Sequence, residues 1–171
     1  MFILFTDFGL EDPYTGQMKA KLIDNAPQMA IIDLFSNAPT QNPRASSYLL
    51  AAYTPAFPKE SIFICVVDPG VGGDRPGIIV RANDQWFVGP GNGLFELVLR
   101  HAHPAPEIWQ INWHPDNGSP TFRGRDIFAP VAAILANGGK IPGSEKSIDW
   151  QRHSDWPDVL QEVIYIDHYG N

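Results

Sequence analysis

The sequence predicts an α/β fold with a largely parallel central sheet sandwiched between helices. Two observations carry this expectation. Short apolar runs rich in Val and Ile alternate with helical patterns. The runs are bounded by Gly, Pro, Asp or Asn, which end strands, and the helical patterns open on capping residues. A third observation bounds the answer. The 171 residues are 44% hydrophobic and 18% charged, which suits one domain with a real core and argues against disorder.

In chain order, strands are expected over residues 2–6, 30–34, 62–67, 77–81, 85–88, 108–112 and 159–166. Asp12 and Pro13 open a helix over 14–25, where Tyr14, Met18 and Leu22 recur at spacing four. Asn42 and Pro43 open a second over 44–53, and Asn92 a third over 93–101. Asp126 is expected to cap a fourth over 127–136, ended by Gly138 and Gly139. Asn and Asp accept from free N–H groups at a helix start, and Pro is tolerated at the first helical position. Residues 112–119, rich in Pro, Asp, Asn and Gly, read as a surface loop.

Composition also narrows the function. A formal net charge of −7 argues against a nucleic-acid partner and is compatible with a cationic small molecule. Cys65 is the sole cysteine, so no internal disulfide forms, which fits a reducing compartment; its apolar run makes it an inert core thiol. The opening residues show no signal-peptide pattern, and no apolar run reaches membrane-spanning length, so the cytoplasm and no membrane partner are expected. The last apolar run leads into a strand-to-loop exit, as in a domain cut from a longer chain.

Three features point to chemistry. Asp7, Asp33, Asp68 and Asp167 each close or follow an expected strand. Open α/β sheets bind ligands outside the carboxyl ends of their strands, so parallel strands would gather these carboxylates on one edge. Asp also favours strand-ending turns for purely structural reasons. The second feature is Asp68-Pro-Gly-Val-Gly-Gly-Asp-Arg75, which has neither Walker nor dinucleotide-binding spacing. Asp68 and Arg75 can pair across this turn, leaving a carboxylate able to accept a hydrogen bond from water, or a salt bridge that only pins a loop. The third is Thr121-Phe-Arg-Gly-Arg-Asp126. Arg123 and Arg125 precede a helix start, where the dipole disfavours cations, so each needs a use or a carboxylate partner. His101 and His103 close a helix and carry no metal-site spacing; no metal is expected.

These segments carry a family resemblance. Thr6-Asp-Phe-Gly-Leu-Glu-Asp-Pro-Tyr-Thr-Gly-Gln-Met-Lys19, Val66-Val-Asp-Pro-Gly-Val-Gly72 with Arg75, and Gly89-Pro-Gly-Asn-Gly-Leu94 appear in order. Thr121-Phe-Arg-Gly-Arg-Asp-Ile-Phe-Ala-Pro130 and Ile166-Asp-His-Tyr-Gly-Asn171 follow. Together they resemble the S-adenosyl-L-methionine (SAM) hydroxide adenosyltransferase, chlorinase and fluorinase family. The resemblance implies that residues 1–171 are its N-terminal SAM-binding domain, without the family's C-terminal β-barrel domain. It implies a homotrimer with SAM, as substrate and not as tightly bound cofactor, between one N-domain and a neighbour's C-domain. It implies catalytic roles for Asp68, Arg75 and Arg123. Asp7 would bind the ribose hydroxyls, Asp167 the methionine ammonium and Asn171 the adenine. Tyr14, Gln41, Asn92 and Gly124 complete the expected substrate contacts.

The implied reaction is substitution at C5′ of SAM with methionine leaving. The hydrolytic branch, which yields adenosine and methionine, keeps the pair formed here by Asp68 and Arg75; the halogenases replace it with groups that seat a halide. Three positions depart from the family pattern. Arg123 stands where the hydrolytic branch has His. Asp33 is followed by Leu34, Phe35 and Ser36 where the family has a nearby His. Gln41 replaces a pocket aromatic. An altered homologue that binds SAM or adenosine without turnover is therefore the competing reading.

Overall fold

A computed structural model describes residues 1–171. Seven strands form one sheet: β1 (Phe2–Thr6), β2 (Ile31–Phe35), β3 (Ile62–Val66), β4 (Gly77–Ala82), β5 (Gln85–Pro90), β6 (Glu107–Ile111) and β7 (Gly143–Lys146). Their spatial order is β2-β1-β3-β5-β4-β6-β7. The pairings β1–β2, β1–β3 and β3–β5 are parallel, as the alternation of strand and helix predicts. From β5 onward the sheet continues antiparallel through β4, β6 and β7.

Four α-helices cover the two faces: α1 (Tyr14–Asn25), α2 (Pro43–Tyr53), α3 (Glu96–Arg100) and α4 (Ala129–Ala136). Alternation along β1 assigns the layers. Ile3 and Phe5 join one core cluster with Leu49 and Leu50 of α2 and Leu99 of α3. Phe2 and Leu4 join the other with Met18 and Leu22 of α1 and Val131 of α4. Both faces of the central strands are thus buried, which is why β1 and β3 read as unbroken apolar runs. Cys65 lies wholly inside, and burial pushes its thiol well above the usual range.

The structure departs from the sequence expectations at four places. Asn92 does not open the third helix: α3 starts at Glu96, with Phe95 at its cap. Residues 159–166 form no strand. Ile164 and Tyr165 instead lie on the α2–α3 face, with Tyr165 edge-on to Phe35 at 5.2 Å. Val159 and Val163 remain exposed, and residues 159–166 make no backbone–backbone hydrogen bond. Residues 143–146, Gly-Ser-Glu-Lys, carry no apolar signal, yet they pair with β6 as β7. Asp126 does not cap α4. It lies inside a π-helical turn, Gly124–Phe128, that runs straight into α4. Its carboxylate is already taken by the Ser119 N–H at 2.7 Å and by Arg125 at 2.6 Å. Asn42 does cap α2, accepting from the Ala45 N–H at 3.0 Å.

The chain after β7 is strapped to α3 by charge. Glu96 is wholly buried and binds Arg100 at 2.9 Å, Arg152 at 2.8 Å and the His153 N–H at 3.0 Å. Burial alone would push its carboxyl up, but Arg152, the His153 N–H and Arg100 outweigh it and hold the group at about 2. A depressed carboxyl stabilises the fold above its unfolded pKa and ceases to do so as pH falls through its folded value. This contribution is therefore complete above about pH 4.5 and is lost by about pH 2. Glu96→Gln should cost on the order of 3 kcal/mol at neutral pH. Urea denaturation should show that loss shrinking as the pH approaches 2; a loss unchanged over that range contradicts the assignment.

Candidate active site

The site is built at the carboxyl ends of β1 and β3. Thr6 of β1 is in register with Val66 of β3, so Asp7 and Asp68 leave the same edge of the sheet. Strand order also reverses around β1 and β3, where open sheets leave a crevice. There the structure holds a cavity of about 250 Å³. Of the residues expected from sequence, Asp7, Tyr14, Gln41, Asp68, Arg123 and Gly124 line it.

Asp68 is its most constrained group, with a side chain only 2% exposed. Its Oδ1 pairs with Arg75 and accepts the Gly70 N–H at 3.3 Å. Its Oδ2 is buried and has no hydrogen-bond partner in the protein. Such an oxygen carries the full desolvation cost of a lost partner unless a ligand or water supplies one. The glycine at 70 makes the pair possible: a Cβ there would stand 2.8 Å from Arg75 Nη2.

Asp7 accepts the Gln41 N–H on Oδ2 at 2.8 Å. Burial pushes the Asp7 carboxyl above its usual range, while the N–H groups of Gln41 and of Asp7 itself draw it back and Asp68 adds to the rise. Gln41 adopts a positive φ of 53°, a strained conformation for a residue with a side chain, and this is the backbone that serves Asp7. Arg123 donates to the Arg75 carbonyl at 2.6 Å and lies 5.4 Å from the Phe128 ring centroid. It has no carboxylate partner, unlike Arg125, which binds Asp126 and Gln17 and lies over Phe122. Burial pushes the Arg123 guanidinium down; Asp68 draws it back up and Arg75 opposes that.

Other expected residues lie elsewhere. Arg75 reaches the site through Asp68 and lines a second cavity instead. Asn92 is a brace: it donates to the Val67 carbonyl at 2.8 Å and accepts from the Leu94 N–H at 3.2 Å. Asp167 and Asn171 do not line the cavity; on the exposed last residues they bond one another at 3.0 Å. Asp33 is taken by Lys19. Sequence reasoning passed over Phe8 and Phe122, which with Tyr14 form an aromatic cluster at 5.4–6.2 Å spacing on the cavity wall. Their adjacency to Asp7 and Arg123 was the available signal. Gly124 packs beneath them, where a Cβ would stand 3.0 Å from Met18 Sδ.

Residues 2–144 match the family model described as SAM hydroxide adenosyltransferase N-terminal domain. A Thermus thermophilus protein named (R)-S-adenosyl-L-methionine hydrolase is 38% identical over 97% of this chain and 70% of its own length. A protein of the same name from Methanocaldococcus jannaschii is 34% identical over 98% of this chain and 64% of its own. A crystal structure of an uncharacterized conserved protein from Thermotoga maritima superposes with a TM-score of 0.81 at 37% identity. That match covers 86% of this chain and 58% of the other, so the chain spans between 58% and 70% of these relatives.

The pair at the centre can be dissected by stability. Arg75→Met leaves Asp68 buried without its cation and should cost roughly 3 kcal/mol in urea denaturation. Adding Asp68→Asn should restore at least half of that loss. A double variant as unstable as the sum of both single variants would show that the two side chains do not act as a pair.

Proposed function

We propose, from the premise that this chain belongs to the SAM hydroxide adenosyltransferase family, that it is the substrate-binding N-terminal domain of a SAM hydrolase. The reaction is SAM and water to adenosine and methionine. One observation carries this reading: Asp68 lines the cavity with one oxygen held by Arg75 and the other buried without a protein partner. A carboxylate so held can accept a hydrogen bond from one water and orient its lone pair toward an electrophile. The C5′–O bond forms as the C5′–S bond breaks, and the electron pair leaves on sulfur as neutral methionine thioether. The water's proton passes to Asp68 and then to solvent.

The family resemblance supplies the remaining roles, and the chemistry of the side chains suits them. Asp7 accepts both hydrogens of the ribose cis-diol. Tyr14 and Gly124 shape the cavity wall, and the Gln41 backbone positions Asp7. Arg123, always charged near neutral pH, does not relay a proton as histidine would; it favours the negative charge that develops on the attacking water. Asp167 takes the methionine ammonium and Asn171 the adenine once the last residues fold over the site. The cavity of about 250 Å³ is smaller than the ~300–1,000 Å³ usual for small-molecule sites. A neighbouring subunit in a homotrimer supplies the missing wall, and the cytoplasm supplies the substrate. SAM is a substrate in this reading, with no resident cofactor. No helix is long and apolar enough to cross a membrane.

The competing reading, a homologue that binds SAM without turnover, is favoured by Arg123 and Gln41. The test is incubation with SAM and chromatography of the products. Equimolar adenosine and methionine are expected, and Asp68→Asn should lower the rate by at least about two orders of magnitude. Arg123→His should raise the rate or leave it unchanged. SAM binding without adenosine in both the parent and Arg123→His would establish the non-catalytic reading.

A further inference from the structure

Behind the Asp68–Arg75 pair lies a second cavity, of about 320 Å³. The loop from Gly72 to Gly77 forms one side of it, and Gln110 and His114 the other. Arg75 and Arg123 both line it, and Arg123 alone lines this cavity and the first. Asp74, Gln110 and His114 join the two arginines as its polar lining, and glycines, prolines, Ile111 and Ile127 make up the rest. One carboxylate, Asp74, is present, and it forms no ion pair with either arginine.

The cation supply here exceeds what the protein consumes. Arg75 gives one N–H to Asp68 Oδ1, and the other oxygen of that carboxylate is buried without a partner in the protein. Arg123 spends one N–H on the Arg75 carbonyl and has no carboxylate at all. A guanidinium carries five N–H donors, so four of its own find no acceptor in the protein. Two guanidinium groups crowded at a half-buried wall repel one another, and Arg75 helps push Arg123 down for that reason. An anion would relieve both deficits together.

We propose that this second cavity binds a small tetrahedral oxyanion, of the phosphate or sulfate class, through the free N–H groups of Arg123 and the outer edge of Arg75. Planar guanidinium forks suit several oxygens on one centre better than they suit a single halide, because parallel N–H bonds match paired oxygens. The cavity volume also exceeds what one halide ion fills. Occupancy draws the two cations away from Asp68 and so slows the water attack without competing for the SAM cavity. That consequence rests on the hydrolase reading; the binding site itself does not.

The experiment is a calorimetric titration of the chain with sodium phosphate, against sodium chloride at equal ionic strength. Saturable binding of one phosphate per chain is expected, with no comparable heat from chloride. Arg123→Gln should weaken it at least about tenfold, the scale of one charge-assisted hydrogen bond. Gln110→Glu, which adds a carboxylate to this cavity and not to the first, should abolish it while circular dichroism shows the fold retained. Phosphate heats no larger than those of chloride, or binding that survives both substitutions, overturn the proposal. In the hydrolysis assay, phosphate should lower kcat and leave KM for SAM unchanged; a rise in KM alone places the anion in the first cavity and also overturns it. If the chain shows no hydrolysis, the titration still decides the anion site.

Discussion

The site depends on one backbone constraint, the parallel pairing of β1 with β3. With Thr6 opposite Val66, both strands leave the sheet at the same level, and Asp7, one residue on, and Asp68, two residues on, line one crevice. A one-residue slip would exchange the faces of every side chain in a strand. Here it would put Phe5 among the partners of Phe2 and Leu4 and break both core layers. The apolar core therefore sets the spacing of the carboxylates, and residues far from any ligand hold it.

Electrostatics then separates two aspartates of the same chemistry. Asp68 is nearly enclosed but is met by a guanidinium and a backbone N–H. Asp7 is half-buried with only backbone donors, so burial dominates and its carboxyl rises. Enclosing a carboxylate is tolerable when a cation and hydrogen bonds accompany it, and costly otherwise. The loop Asp68–Arg75 meets this requirement with a sharp turn and a glycine small enough to lie under the guanidinium. Arg123 inverts the situation: it is a partly buried cation whose only protein acceptor is a carbonyl. That imbalance joins the two cavities through a single side chain.

The residues after β7 are held by the same physics at another place. Glu96 lies under the segment that follows Lys146, and two arginines reach it from different parts of the chain. Arg100 also bonds Asp158 and the carbonyls of His153 and Trp156. Tyr48 of α2 donates to the Pro157 carbonyl. The path toward Asp167 and Asn171 is thus directed by the α2–α3 face, while those two residues themselves stay exposed.

The sequence by itself determined the parallel half of the sheet, the presence of the four helices and six of the thirteen residues that line the cavity. Those features rest on local signals: unbroken apolar runs, capping Asn42, and aspartates that directly follow strands. Other features depend on neighbours that only the fold supplies. Gly143–Lys146 becomes a strand because β6 offers an open edge, not because its residues favour one. Residues 159–166 favour one strongly and pair with nothing, because the packing of Tyr165 on Phe35 lays them across a helical face. Asp126 has a capping residue's position in the sequence, but Arg125 and the Ser119 N–H reach its carboxylate first. Asn92 is a polar residue in a motif, and only the approach of Val67 makes it a brace. Local propensity is written residue by residue, whereas the partner of a backbone edge or a side-chain charge is chosen by chain segments far away in sequence.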